Sequence, residues 1–214
     1  MAIEKKVIYK TTNTYSVLNS YTEKTKNVWM VFHGLGYLSK YFIKYFSELN
    51  SEENFIIAPQ APSKYYQDKN FKHVGASWLT KENTAEETKN VLAYVDEVYK
   101  TEVNKTPKNL IVLGYSQGVS IATRWVAKSK INCNELILHS GGIPTELKQN
   151  DFLFLKNNTK VTYLYGNNDQ YINEARKTEQ QIIGNHLFGK QLHIEIFEGI
   201  HEVNTKFIKK ISEN

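Results

Sequence analysis

The residues of this chain best suited to chemistry are a serine set between glycines, one loop aspartate and a histidine near the carboxyl terminus. Residues 114–118 read Gly-Tyr-Ser-Gln-Gly. They follow the apolar run NLIV and open the helix-like stretch IATRWVAK. Turning from strand to helix within about one residue forces the middle residue into a strained backbone conformation and leaves its side chain clear of its neighbours. Glycine is needed on both sides because a Cβ there would meet the adjoining chain. A helix opening at Gln117 aims free amides and its positive end at Ser116, which suits a developing oxyanion.

A serine hydroxyl is a weak nucleophile. It needs a base, and the base needs an orienting acid. In a strand–elbow–helix setting the order along the chain is serine, acid, histidine. Downstream of Ser116, Asp169 is the carboxylate in a loop after a strand-like run, YLYGNNDQYI; helix capping is its competing role. Of the downstream histidines, His139 precedes the acid, His186 sits at a helix end and His193 alternates within a strand. His201, in FEGIHEVN between the last strand and the last helix, is the expected base. The loop VFHGLG supplies a second oxyanion donor, the Leu35 amide, beside that of Gln117. His33 precedes Ser116 and reads as a structural partner of that loop.

These residues need elements to bring them together. NVWMVFHG is a near-continuous apolar run ending in glycine, as expected of a strand buried on both faces. A helix is expected over 37–50, a strand over 54–59 and a long covering loop over 60–80. Thr84 and Glu87 form a capping-box pattern ahead of a stripe through Val91, Val95 and Val98. Strands follow at 109–113, 135–141, 160–166 and 191–197, with helices at 117–128, 172–185 and 202–213. The first 25 residues read as edge strands or a hairpin. Strand and helix alternate, which predicts an α/β fold with a mostly parallel twisted sheet, helices on both faces and ligands at the carboxyl ends of the strands.

The bulk properties fit one globular domain over 1–214: 41% hydrophobic and 23% charged residues, with no linker-like stretch or internal repeat. The net charge of +5 is spread over 27 Lys and Arg among 22 Asp and Glu, so it does not argue for a nucleic-acid partner. No apolar run approaches the roughly 20 residues of a membrane span. The amino-terminal residues lack a secretory h-region. The lone Cys133 fits a reducing, cytoplasmic setting and reads as a bystander thiol.

With these pieces in hand, the chain resembles the carboxylesterase and acyl-protein thioesterase (phospholipase/carboxylesterase) family of small α/β-hydrolases, from about residue 27 to the end. HGLG (33–36) looks like its oxyanion loop, APQAP (58–62) its proline-flanked segment, and GASW (75–78) its Gly-to-Trp stretch. GYSQG is similar to its elbow and HSGGIP (139–144) to its Ser-Gly-x-x-Pro turn. YGNNDQYI and EGIHEV stand where it carries its acid and base. The resemblance implies a triad of Ser116, Asp169 and His201, oxyanion donors at Leu35 and Gln117, and no metal or cofactor. Departures are Tyr165 in place of a histidine, Gln170 and Tyr171 after the acid, and Tyr37 in place of an aspartate. The short span between Ser140 and Lys160 leaves no room for a large lid domain.

The expected activity is hydrolysis of small to medium carboxylic esters or thioesters through an acyl-enzyme on Ser116. Tyr37, Trp78 and Ile143, with Leu35, Tyr65, Tyr66 and Phe71, are candidates to line an acyl groove or to cover the sheet edge. Alternatives are a lysophospholipase, a deacylase of lipidated proteins, or a non-catalytic binding protein on the same fold. The oligomeric state stays open, a homodimer among the options.

Overall fold

The central strands are apolar over most of their length because both of their faces are covered. The computed structural model describes residues 2–213. Its strands are β1 (Tyr15–Leu18), β2 (Asn27–Phe32), β3 (Asn54–Pro59), β4 (Ser63–Tyr66), β5 (Val74–Ser77), β6 (Asn109–Tyr115), β7 (Glu135–His139), β8 (Lys160–Gly166) and β9 (Leu192–Phe197). The helices are α1 (Ser39–Phe42), α2 (Thr84–Glu102), α3 (Gln117–Lys128), α4 (Glu174–Phe188) and α5 (Thr205–Ser212). Seven strands form one sheet in the order β1-β3-β2-β6-β7-β8-β9, parallel except for β1, which pairs antiparallel with β3.

Alternate side chains of each strand point to opposite faces. Val28, Met30, Phe32, Val112 and Leu138 pack with Val95 of α2, Trp125 of α3 and Leu187 of α4. Trp29, Val31, Ile111, Leu113 and Ile137 pack on the other face with Phe42, Phe46, Phe207 and Ile211. This is the helix-covered, mostly parallel sheet that the sequence predicts.

The strand order fixes where a site can form. From β2 the chain steps one way to β3, then returns past β2 to β6. Helices therefore diverge at the β2–β6 boundary, and a crevice opens beyond the carboxyl ends of those two strands. The register aligns Phe32 with Gly114, so the HGLG loop and the serine elbow leave the sheet side by side. Between Ser140 and Thr159 the chain makes only a short 3-10 turn at Gln149–Asp151, and no large lid is inserted.

Several local expectations are corrected. Among the described residues 2–25 only Tyr15–Leu18 is a strand, and no hairpin forms; Ile3, Val7, Ile8 and Tyr9 are exposed, so no burial rewards pairing there. The helix expected over 37–50 is one α-turn followed by a 3-10 turn at Ile43–Phe46. Within the expected loop of 60–80, β4 and β5 pair as an antiparallel ribbon. The Thr84–Glu87 capping box does not form. The N-cap of α2 is Asn83, at φ 48°, and the Thr84 hydroxyl donates instead to the Thr80 carbonyl at 2.8 Å.

The elbow tolerates little change. A Cβ on Gly118 would lie 2.1 Å from the Phe32 carbonyl oxygen, and one on Gly114 would lie 2.5 Å from that of Gly118. Both obstacles are backbone. We expect Gly118→Ala to lower the free energy of unfolding by about 3 kcal/mol or more, measured by urea denaturation. A loss under about 1 kcal/mol would show that α3 can move off β2.

Candidate active site

Five strand ends meet at the carboxyl edge of the sheet. β6 runs into Ser116, the residue just past its end, whose backbone sits at φ 52°, ψ −118°, a conformation a residue with a Cβ adopts only under constraint. The constraint is local: the Ser116 amide donates to the His139 carbonyl of β7 at 2.8 Å, while its own carbonyl accepts from Val119 at 3.1 Å. The strand is thus tied to its neighbour and the helix begins one residue later.

The acid and base arrive on the next two strand ends. The loop after β8 carries Asp169, and the loop after β9 carries His201. The two loops are pinned together. The Asn168 amide donates to the Gly199 carbonyl at 3.0 Å, and the Gly199 amide donates to the Asn167 side-chain oxygen at 3.1 Å. His201 Nδ1 lies 2.8 Å from Asp169 Oδ2, and His201 Nε2 lies 3.1 Å from Ser116 Oγ. A carboxylate only accepts, so Nδ1 carries the hydrogen and Nε2 is left as acceptor for the serine hydroxyl. The Asp169 side chain is fully shielded from solvent, and its second oxygen accepts from the Tyr171 amide at 2.9 Å.

The imidazole is held on two sides. The Tyr171 ring meets it edge-on at a centroid distance of 4.7 Å, and the Tyr115 ring lies at 5.3 Å. The Tyr115 hydroxyl also donates to the His201 carbonyl at 3.1 Å. Tyr37 props Tyr115 from behind, edge-on at 6.1 Å, with its own hydroxyl bonded to that of Tyr45 at 3.1 Å.

Opposite the histidine, the HGLG loop closes on the serine: a Cβ on Gly34 would lie 3.1 Å from that of Ser116. Among the described residues, neither the Leu35 nor the Gln117 amide donates to another group of the chain. The Gln117 side chain is fully engaged elsewhere. Its Nε2 donates to Ser77 Oγ and the Leu79 carbonyl at 3.0 and 2.8 Å, and its Oε1 accepts from the Trp78 amide at 2.9 Å. The cleft in front of Ser116 measures about 300 Å³ and is shared by Ser120, Gly142, Tyr171, Arg176 and His201. A larger open depression, about 520 Å³, lies near Asn19, Thr22 and Ser51, remote from these residues and without a histidine or cysteine in its wall.

The sequence matches the phospholipase/carboxylesterase family over residues 13–214, nearly its whole length. The chain belongs to that family. Solved structures share its fold. Esterase PE8 is 17% identical with a TM-score of 0.71, the match covering 95% of this chain and 97% of that one. Acyl-protein thioesterase 2 from Zea mays is 15% identical at 0.69, covering 94% and 97%. The Bacillus cereus carboxylesterase is 18% identical at 0.65, covering 94% and 92%. At such identities the likeness establishes the fold and not the substrate. No curated protein matches the sequence.

In this phospholipase/carboxylesterase family member, Ser116, Asp169 and His201 come together as a hydrogen-bonded series, with Leu35 and Gln117 beside the serine. The expected groove does not. Trp78 is fully buried, its indole Nε1 donating to the His33 carbonyl at 2.8 Å, and Ile143 is 3% exposed in the core. Tyr37 faces Tyr45 and Tyr115. None of the three lines the cleft; large apolar side chains beside a sheet end gain more from joining the core than from facing solvent. Sequence reasoning missed Arg176 and the supporting rings of Tyr115 and Tyr171. Tyr171 left a signal as a departure from the family pattern, whereas Arg176 lay inside an amphipathic helix and left none.

His33 and His139 are buried pins. His33 Nε2 accepts from the Ala61 amide at 3.1 Å, so its Nδ1 donates to the Gly34 carbonyl at 2.8 Å. His139 Nε2 accepts from the Asn204 amide at 3.0 Å, and Nδ1 bonds Ser140 Oγ at 3.1 Å. Burial pushes the pKa of His33 down to about 4 and that of His139 to about 3. The unfolded chain protonates both near 6.5. Between there and those lowered values unfolding takes up protons, so stability falls as pH falls. We expect each to remove up to about 1.4 kcal/mol per pH unit below about 6.5. Urea melts between about pH 7 and about pH 5 check this; a flat profile contradicts neutral burial of the pair.

Proposed function

We propose that this protein hydrolyses carboxylic esters or thioesters of small to medium acyl groups through an acyl-enzyme on Ser116. The observation that carries the reading is the continuous series Asp169–His201–Ser116 at 2.8 and 3.1 Å, set at the start of α3. Ser116 Oγ adds to the acyl carbonyl carbon while its proton passes to His201 Nε2. The carbonyl oxygen becomes an oxyanion, and the Leu35 and Gln117 amides donate to it. Asp169 holds the ring in the required tautomer and offsets the imidazolium charge. The intermediate collapses as the C–O or C–S bond to the leaving group breaks, and Nε2 returns the proton to that oxygen or sulfur.

Water then adds to the acyl-enzyme and gives a proton to the same nitrogen. The second intermediate breaks the bond to Oγ, the proton returns to the serine, and the carboxylic acid departs. The preference for small acyl groups rests on the cleft. At about 300 Å³ it is at the low end of ligand sites, and polar side chains form much of its wall. A cytoplasmic location is the reading that Cys133 supports, as the single, buried free thiol among the described residues.

We expect Ser116→Ala to lower kcat on p-nitrophenyl acetate or butyrate by at least about 1,000-fold, with the melting temperature retained. Asp169→Asn should lower it by about 10,000-fold through the wrong histidine tautomer. A fluorophosphonate probe should label Ser116 and no other serine, read by peptide mass spectrometry. Wild-type activity in Ser116→Ala removes the nucleophile assignment, whereas no labelling and no hydrolysis by the wild type favours a binding role for the fold.

A further inference from the structure

The cleft contains a cation with no evident structural task. Arg176, in the first turn of α4, is exposed and shares the cleft with Ser116 and His201. The acids nearest it in sequence are engaged with other groups. Glu174 pairs with Lys177, Asp169 with His201, and Glu179 accepts from Gln180. Among the described residues, Arg176 forms no ion pair; Arg124, by contrast, pairs with Glu146 at 2.7 Å.

The helix that carries it is nonetheless docked beside the serine elbow. Gln180, one helical turn on and on the same face of α4, is buried, and its Oε1 accepts from the Ile143 amide at 2.6 Å. That bond docks α4 onto the turn at Gly141–Gly142. A Cβ on Gly142 would lie 3.0 Å from Arg176 Nη2, and one on Gly141 would lie 2.1 Å from the Ser116 carbonyl oxygen. Adjacent residues, about 3.8 Å apart at Cα, thus touch the guanidinium and the serine backbone. The planar fork of an arginine matches a carboxylate with two parallel hydrogen bonds. A guanidinium left without a partner beside the reacting serine selects against neutral ligands only weakly and in favour of anionic ones strongly.

Resting on the hydrolase reading above, we infer that Arg176 is a specificity-determining residue, and that the substrates are esters or thioesters carrying a carboxylate a few bonds from the reacting carbonyl. The carboxylate takes the guanidinium while the carbonyl lies over Ser116.

The test compares monomethyl glutarate with its neutral amide analogue, methyl glutaramate, by pH-stat at low ionic strength. A second pair carries the carboxylate or amide on the alcohol side: O-acetylglycolate and O-acetylglycolamide. In the wild type, one or both pairs should favour the anion by at least about tenfold in kcat/KM. Which pair does so identifies the side that Arg176 reads. Arg176→Gln should reduce that ratio by at least about tenfold, chiefly through KM, and Arg176→Lys should keep part of it. Lys190→Gln, a charge control near the far end of α4, should keep the wild-type ratio. Equal ratios in wild type and Arg176→Gln overturn the inference while leaving ester hydrolysis intact. Calorimetric binding of free glutarate reads the same contact without turnover. Its loss in Arg176→Gln supports the inference even if no ester is cleaved, and binding that is unchanged in Arg176→Gln or absent in the wild type overturns it.

Discussion

The site depends on one close approach, that of the first turn of α3 to the ends of β2 and β6. There is no space for a side chain at Gly118, where the Phe32 carbonyl is in contact, and none at Gly114, where the helix backbone returns. Because the helix cannot retreat, Ser116 must take its left-handed backbone, and its hydroxyl must project into the crevice. The same contact brings the HGLG loop against the serine and leaves two amides free beside it. Strain at one residue, backbone packing and a pair of free amides are therefore a single arrangement. The sheet supplies the rigidity: the strands that hold the elbow, β2, β6 and β7, are apolar and buried for nearly their whole length.

Around the elbow, protons are placed by burial. Three histidines stand near the carboxyl edge, and their surroundings separate their roles. His33 and His139 are enclosed, each accepting one backbone amide, and both remain neutral. His201 alone has a carboxylate on one nitrogen and a hydroxyl on the other. The neutral pair keeps positive charge away from the imidazolium that the proposed mechanism forms at His201. Positive charge on His201 adds to the burial that already disfavours protonation of His139.

Much of this was legible in the sequence, for reasons that differ by residue. The elbow could be read because glycine spacing, apolar run and helix onset all express one steric demand. Asp169 and His201 could be read because chain order and strand ends restrict where partners of Ser116 can stand. Tyr37, Trp78 and Ile143 were misjudged because an aromatic or aliphatic residue in a loop has the same signature whether it faces a ligand or the core. Only packing decides, and it sent Trp78 to His33 and Phe32. The capping box at Thr84 failed for a similar reason: the Thr80 carbonyl was a nearer partner than the pattern could reveal. Arg176 was invisible because its meaning comes from contact with Gly142, in sequence 34 positions away.

The uninterrupted run from Ser140 to Thr159, with its single short 3-10 turn, bears on how turnover is gated. A chamber that shuts over its ligand strengthens internal electrostatics by expelling solvent, and it adds opening and closing to each cycle. A cleft with a permanent mouth has neither property. In the proposed mechanism, water would reach the covalent intermediate without waiting for a hinge, and products would leave the same way. Enclosure then would not sort ligands, and under the inference drawn above that task falls to the guanidinium of Arg176 in the cleft.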